Sequence, residues 1–444
     1  MKRVLSLTAA VLAVFSLHAQ NPYLPLWEFI PDGEPYVFED PDNPGKYRLY
    51  IYGSHDNEVT EYCGRDQVVW SAPVDNLTDW RYDGVIFQSV ADADGNPLNA
   101  RTGKGDILYA PDIATVSQDD GSTLYYLYPN NQSAGRQSQV CVSSRPDGPF
   151  EVCNWNADNP RRTDGVLGFD PAVFVDDDGR VYGYWGFEES FGAELDPETM
   201  ATVKPGTEIV KNMVSDYRHP GKFRFFEASS MRKIEDKYVF IYSRYTEDGC
   251  DGLPRSNNTL AYAYSDHPLG PFTYGGTIVD AREPKENEHT GMPMATANPF
   301  GNTHGSIMNI KGQWWVFYHR QTGTDQFSRQ AMVAPIEVKV EKGPGGKVEI
   351  SRAEVTSEGF QIKGLDPTGT IPAGLACWFF HPVKDVESYP NFEYGGSYVQ
   401  TTHPEKGTDV SSLYGKDPGC SVVNNTAGSI VGFKYLDFDR LRAK

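Results

Sequence analysis

Residues 168–186 read GFDPAVFVDDDGRVYGYWG. Asp170 stands ahead of a short apolar alternation, an Asp/Gly turn follows, and a strand crowded with aromatic rings ends the stretch. The same pattern occurs four more times. Its aromatic strands are KYRLYIYGS (46–54), STLYYLYPN (122–130), GRVYGYWGF (179–187), DKYVFIYSR (236–244) and QWWVFYHR (313–320). Anchored on Tyr52, Tyr128, Trp185, Tyr242 and Tyr318, the copies are 76, 57, 57 and 76 residues apart. Fourteen to 18 residues before each anchor lie Glu34, Asp112, Asp170, Glu227 and His304, in the contexts GEPYV, APDIA, FDPAV, FEASS and THGSI. A unit of this period that carries several strands is the signature of a propeller blade. The expected fold is therefore all-β, a five-bladed propeller with a β-rich C-terminal extension. The first strand of each blade lines the central channel, so the five polar residues should converge on one axial site.

A second repeat supports this register. SSRPDGPFEV (143–152) and SDHPLGPFTY (265–274) share S-x-x-P-x-G-P-F, and SAPVDNLTDWRY (71–82) is a looser copy. Pro and Gly beside an aromatic suit the outer edge of a blade, where a strand must not pair further. The segment from Asn21 to about Ile30 is expected to clasp the ring by pairing an early strand with a late one. The propeller should span 21–337 and a β-rich region 338–444. In the latter, PIEVKVEKGPGGKVEISRAEVTSEGF (335–360) alternates like a hairpin around a Gly-rich turn. Roughly 80 further residues are thin for an independent sandwich. They form either an incomplete module or a layer that leans on the propeller.

Composition agrees and narrows the partners. The 43 Gly, 31 Pro and 13% aromatic residues of the 444 suit short strands and tight turns. With 60 acidic against 40 basic residues, the net charge of −20 repels nucleic acid and anionic lipid. A neutral partner such as a carbohydrate fits, and the chain is expected to be a monomer. Lys2 and Arg3, the mostly apolar run Val4 to Leu17, and Leu17-His18-Ala19 before Gln20 read as a signal peptide over 1–19. The apolar run is shorter than the roughly 20 residues a membrane anchor needs, and no Cys follows the cut. The expected location is secreted or periplasmic. Cys63, Cys141, Cys153, Cys250, Cys377 and Cys420 contain no C-x-x-C pair, which excludes a zinc ribbon. Disulfides, with Cys141 and Cys153 closest in sequence, and buried thiols are both open readings.

The channel residues differ in surroundings. Glu227 follows Phe225 and Phe226, and an apolar surround raises a carboxyl pKa as a general acid requires. Asp170 either caps the turn before Pro171 or faces the axis. In IPDGEPYVF, Asp32 and Glu34 share one side of a strand; alignment with the other blades favours Glu34. Asp112 sits one residue later relative to its Pro than Asp170 does, which suits a structural role, with a substrate contact as the alternative. His304 is a candidate for a substrate contact, a metal ligand or a satisfied core position. Carboxyls of different character around one cavity form the kit for glycoside hydrolysis.

At these residues the chain resembles glycoside hydrolase family 43, through GFDPAVFVDDDGRVYGYWG, FFEASSMRKIEDKYVFIYS, LYAPDI and NTHGSIM, over about Asn21 to Glu337. The resemblance implies a five-bladed propeller that removes arabinofuranosyl, xylosyl or related units with inversion. It implies Glu227 as the acid, Asp170 as the carboxylate that orients the acid and tunes its pKa, and His304 as an axial histidine beside a calcium ion. No cofactor is required for the chemistry; a structural calcium near the axis is the one the resemblance allows. The family's base is an Asp in a D-P pair at the head of the first blade, where this chain has Glu34-Pro35. Glu34 is thus the expected base, with Asp32 as the alternative. The expected activity is that of an α-L-arabinofuranosidase. The alternatives are a β-xylosidase or β-galactofuranosidase of the same fold and, from another class, a non-catalytic sugar-binding propeller.

Overall fold

The computed structural model describes residues 20–442 apart from 58–60, 99–103, 217, 220, 247–255, 284, 287–292, 296–300, 324–325, 383–386, 389–392 and 402–418. The expected signal peptide and Cys250 lie outside the described residues.

Each aromatic strand is the second strand of an antiparallel sheet, and five such sheets make a five-bladed β-propeller. Blade 1 runs Glu34–Glu39, Tyr47–Tyr52, Gln67–Pro73 and Arg81–Phe87, and blade 2 runs Asp112–Ser117, Thr123–Tyr128, Cys141–Ser143 and Glu151–Val152. Blade 3 comprises Ala172–Val175, Val181–Trp185, Phe191–Leu195 and Val210–Lys211, and blade 4 Phe225–Ile234, Lys237–Thr246, Ser256–Ser265 and Thr273–Asp280. Blade 5 departs from the four-strand expectation, with three strands among the described residues: Ile307–Ile310, Gln313–Gln321 and Arg329–Ile336. The G-P-F segments lie between the third and fourth strands of blades 2 and 4, at the outer edge as expected.

The aromatic strands are buried on both faces because successive side chains of a strand point to opposite sides. In blade 1, Leu49 and Ile51 pack against Trp315, Phe317 and Val333 of blade 5, while Tyr50 and Tyr52 pack with Ile113, Tyr125 and Leu127 of blade 2. The same division joins blades 2 and 3 through Tyr128 and Trp185, blades 3 and 4 through Tyr184 and Phe240, and blades 4 and 5 through Ile241 and Val316. One continuous apolar strand therefore supplies two inter-blade interfaces. That is why its sequence shows little polar alternation.

The N-terminal segment closes the ring at blade 5. Tyr23 N–H donates to Ala331 O (3.3 Å), alongside the last strand of blade 5. The fully buried Asn21 then imitates a strand residue with its side chain. Its Nδ2 donates to Val333 O (2.6 Å) and Thr356 O (3.0 Å), and its Oδ1 accepts from Val333 N (2.9 Å). Tyr23, Leu24, Trp27 and Ile30 fill the seam between blades 1 and 5.

The C-terminal region leans on the propeller. Val338–Val340 pairs with Val348–Ile350 as the expected hairpin, and Val348, Ile350, Val355 and Trp378 join the core of blades 4 and 5. Arg320 of blade 5 donates to the carbonyls of Gly374 and Ala376. Cys63, Cys141, Cys153, Cys377 and Cys420 are free thiols.

Asn21→Ala leaves the Val333 N–H and two carbonyls buried without partners. At about 1–3 kcal/mol per orphaned group, a loss of roughly 2–4 kcal/mol is expected. A lower denaturation midpoint in urea with an unchanged far-UV spectrum checks this, and a midpoint equal to wild type refutes it.

Candidate active site

The five axial positions do not lie at one depth. Glu34 and Asp112 pair directly with the anchors Tyr52 and Tyr128. Glu227 pairs with Ser243, one residue beyond the anchor Tyr242. Asp170 stands two residues ahead of Ala172, the partner of Tyr184, and Asp32 two residues ahead of Glu34. A shift of two residues keeps a side chain on the same face and moves it about 7 Å along the channel. Asp32, Asp170 and Glu227 therefore share the upper level, where they line a pocket of about 340 Å³ with His304 and Arg329.

The backbone is bent where it delivers these groups. Asp32 (φ 61°) and Asp170 (φ 48°) adopt left-handed conformations, as does Ala228 (φ 68°) directly after Glu227. Such conformations are uncommon outside glycine and gather at functional sites. His304 is admitted by Gly305, whose position has no room for a side chain: a Cβ there would lie 2.0 Å from Phe317 O.

Each carboxyl of the pocket has a distinct environment. Asp32 Oδ2 accepts from Ser54 Oγ (2.5 Å) and Oδ1 from Arg329 (3.2 Å). Arg329 is itself forked onto Asp56, through Nε (2.9 Å) and Nη2 (2.8 Å). Burial opposes ionisation of Asp32, yet the Arg329 guanidinium holds its carboxyl well below the usual range. His319 lies behind it. Its Nδ1 accepts the Asp32 N–H (3.2 Å) and its Nε2 faces Asn302 O (2.9 Å), the arrangement of a neutral ring, and burial lowers its pKa. Asp170 accepts from Asn130 Nδ2 (2.7 Å) and from the Ala228 N–H (3.0 Å), with His304 Nδ1 at 3.5 Å. Glu227 is pushed up to about 8, chiefly by burial and then by the charge of Asp170. Near neutral pH the pocket thus holds a protonated Glu227 opposite an ionised Asp32.

Two expectations need correction. Glu34 does not line the pocket. It is buried at the lower level, where Oε2 accepts from Arg232 (2.6 Å) and Ser230 Oγ (3.2 Å). Asp112, for which a substrate contact was the alternative to a structural role, is buried beside it and takes the structural role. It accepts from Tyr36 Oη (2.7 Å) and Val173 N (2.7 Å), and burial followed by the Glu34 charge pushes it up to about 7. The physical reason is the two-residue offset, which spacing from an aromatic anchor cannot resolve when both candidates face the axis. Asn130, Arg329, Asp56, Ser54 and His319 were not singled out from sequence. Their only signal is a polar residue beside or within a strongly apolar strand.

The donors present do not make a calcium site. His304 Nε2 and Glu34 Oε1 are buried without partners, but calcium takes about six to eight oxygen ligands. No three His, Cys, Asp or Glu side chains cluster as ligands among the described residues. The other axial carboxylate oxygens of the lower level are committed to Arg232, Ser230, Tyr36 and Val173.

A propeller with an acid and ionised carboxylates at one mouth of its channel is the architecture of a glycoside hydrolase. The sequence profile of the glycosyl hydrolases family 43 matches residues 39–342. A xylosidase/arabinosidase of Thermoclostridium stercorarium is 36% identical over 441 residues, covering 94% of this chain and 82% of the relative. An arabinoxylan arabinofuranohydrolase of Paenibacillus polymyxa is 30% identical over 435 residues, covering 91% of this chain and 62% of that protein. Among solved structures, the family 43 arabinoxylan arabinofuranohydrolase from Bacillus subtilis in complex with cellotetraose superposes with a TM-score of 0.53 at 22% identity, covering 86% of this chain and 77% of that one. The chain belongs to glycosyl hydrolase family 43 and is an enzyme of the xylosidase/arabinosidase type. The profile match begins at residue 39, beyond Asp32 and Glu34.

Arg329→Met leaves Asp32 and Asp56 buried without a counter-charge, and breaking a buried pair in this way costs about 3–5 kcal/mol at neutral pH. The wild-type contribution comes from a depressed carboxyl pKa. It is therefore present above the unfolded pKa and lost as pH falls. The stability gap between variant and wild type should narrow below about pH 4. Urea titrations at pH 7 and at about pH 2 measure it, and a gap independent of pH contradicts this account.

Proposed function

We propose that this protein removes terminal α-L-arabinofuranosyl units from arabinoxylan-type poly- or oligosaccharides, by an inverting mechanism with Asp32 as base and Glu227 as acid. The carrying observation is the opposed protonation of these two groups in one pocket: Glu227 raised by burial and Asp170, Asp32 held ionised by Arg329. The arabinofuranosyl reading is supported by the names of the relatives, which include an arabinoxylan arabinofuranohydrolase. β-Xylosidase activity is the second reading, supported by the xylosidase/arabinosidase from T. stercorarium.

Asp32 accepts a proton from a water whose oxygen attacks the anomeric carbon, while Glu227 donates its proton to the glycosidic oxygen as the C–O bond breaks. The sugar leaves with inverted configuration, Asp32 protonated and Glu227 ionised, and exchange with solvent resets both. Ser54 and Arg329 hold both Asp32 oxygens, which aims the base. Asp170 raises the Glu227 pKa and, by accepting the Ala228 N–H, holds the backbone beside the acid. His304 supports Asp170 and contributes to the sugar pocket. Glu34, with Arg232, serves as a pillar of the channel below. The basic start, apolar run and small-residue cut over residues 1–19 support export, with action in the periplasm or outside the cell.

Asp32→Asn should abolish turnover, by about 10³-fold or more given the weight of a general base in the transition state, while sugar binding persists. Glu34→Gln should retain activity within about tenfold if folded, because it stands outside the reacting level. Nitrophenyl arabinofuranoside and xyloside assays decide between them; a dead Glu34→Gln with an active Asp32→Asn would reverse the assignment. NMR of the first-formed sugar should show inversion, and retention defeats the mechanism.

Activity requires Glu227 protonated, so the rate should fall as pH rises through about 8. Asp170→Asn removes a charge that disfavours ionised Glu227, so its basic limb should move to lower pH by about one unit. Glu227→Gln should lose far more activity on an alkyl or sugar leaving group than on an activated aryl one, which departs with little protonation. Equal losses on both would remove Glu227 from the acid role.

A further inference from the structure

The pocket has an asymmetric wall. Phe169 and Phe226 directly precede Asp170 and Glu227, and Phe187 lies between them, with ring centroids 5.3 Å and 5.2 Å away. Tyr245 extends the row beyond Phe226 (5.8 Å). Phe187 is 49% exposed and still lines the pocket. An open apolar ring in the wall of a pocket with polar groups opposite offers a surface that the C–H face of a ligand can cover.

The segment that carries Phe187 is pinned from both sides. Gly186 N–H donates to Phe169 O (2.8 Å) and Glu188 N–H to Phe226 O (2.6 Å). Arg218 holds Glu188 through its carbonyl (3.3 Å) and its carboxylate (3.4 Å). Gly186 has φ 143°, and a Cβ there would meet Glu189 O at 1.8 Å, so this turn is specific to glycine. Phe187 is thus a fixed platform tied to the two residues ahead of the acid and its partner carboxylate.

The chemistry orients what lies on that platform. The acid must reach the glycosidic oxygen, so the leaving group departs on the Glu227 side, and the attacking water enters from the Asp32 side. Phe187 stands on the leaving-group side. We propose that Phe187 is a specificity-determining residue that stacks against the leaving-group sugar, and that its ligand is a xylopyranosyl ring of a xylan-type chain. A pyranose chair offers an apolar C–H face of about the area of a phenyl ring. Xylose is the leaving group whether arabinofuranosyl or xylosyl units are removed from such a chain. This inference rests on the functional reading above and adds the subsite that selects the chain left behind.

The test separates the two subsites. With Phe187→Ala, KM for an arabinosylated xylo-oligosaccharide, or for xylotetraose if wild type prefers xylosides, should rise about tenfold. The Ki of the released monosaccharide, which occupies only the end of the pocket beside Asp32 and His304 and not the Phe187 wall, should stay within twofold, and Phe187→Trp should keep KM near wild type. A residue that merely supports the fold would raise KM and Ki together and lower the melting temperature. An unchanged oligosaccharide KM, or a Ki that rises in parallel, overturns the proposal. Failure of the functional reading looks different: wild type would then hydrolyse none of these glycosides. In that case, xylotetraose binding by calorimetry still discriminates. A Kd weakened about tenfold in Phe187→Ala supports the platform, and an equal Kd or no binding to wild type overturns it.

Discussion

The buried chain of charges Asp56–Arg329–Asp32 joins the two ends of the ring: Asp32 and Asp56 belong to its start, and Arg329 follows them by 297 and 273 residues. Asp32 arrives on the N-terminal lead-in, Asp56 follows the aromatic strand of blade 1, and Arg329 opens the last strand of blade 5. Arg329 therefore meets its partners only when the ring is closed. A desolvated ion network of this kind contributes little net stability compared with apolar packing, but an incomplete one is strongly penalised. The same contact that marks correct closure also keeps Asp32 ionised and aimed into the pocket. Ring closure and the charge state of the pocket meet at one guanidinium.

Around that network the channel is divided by depth. At the upper level, a carboxyl raised by burial faces one lowered by Arg329, and this separation of protonation states makes acid–base work feasible at one pH. At the lower level, the buried Glu34 and Asp112 are linked through Arg232 and Tyr36, with Arg232 over the Tyr36 ring at 4.7 Å. The lower cluster ties the inner strands of blades 1, 2 and 4 together, and so it holds the strands that present Asp32 and Glu227 a turn above. Two sets of acids thus follow the same axis, one solvent-linked and one structural.

The pocket walls add a second asymmetry. Three phenyl rings crowd the side of Glu227 and Asp170, while the side of Asp32 is built from Arg329 and Ser54, with the Tyr62 ring over the guanidinium. Water enters most readily where polar groups can hold it, and a sugar ring settles where C–H faces can be covered. The N-terminal clasp and the C-terminal hairpin extend the apolar seams at blade 5, whose sheet has three strands among the described residues.

The sequence by itself determined the five blades, since period-2 burial on both faces forces the aromatic strands to repeat. It also placed Asp170, Glu227 and His304 at the pocket, because each follows a recognisable local pattern and sits 14 or 15 residues before its anchor. It did not determine which acid of Asp32 and Glu34 reaches the pocket. Both face the axis, and a two-residue step along a strand is invisible to side-chain alternation. Only the tertiary structure decided that, through the pairing register of Glu34 with Tyr52 and through Arg329 and Arg232, which arrive from blades 5 and 4 to claim one acid each. The partners that bind the two acids lie nearly 200 to 300 residues away, and no local reading of a chain contains a contact of that range.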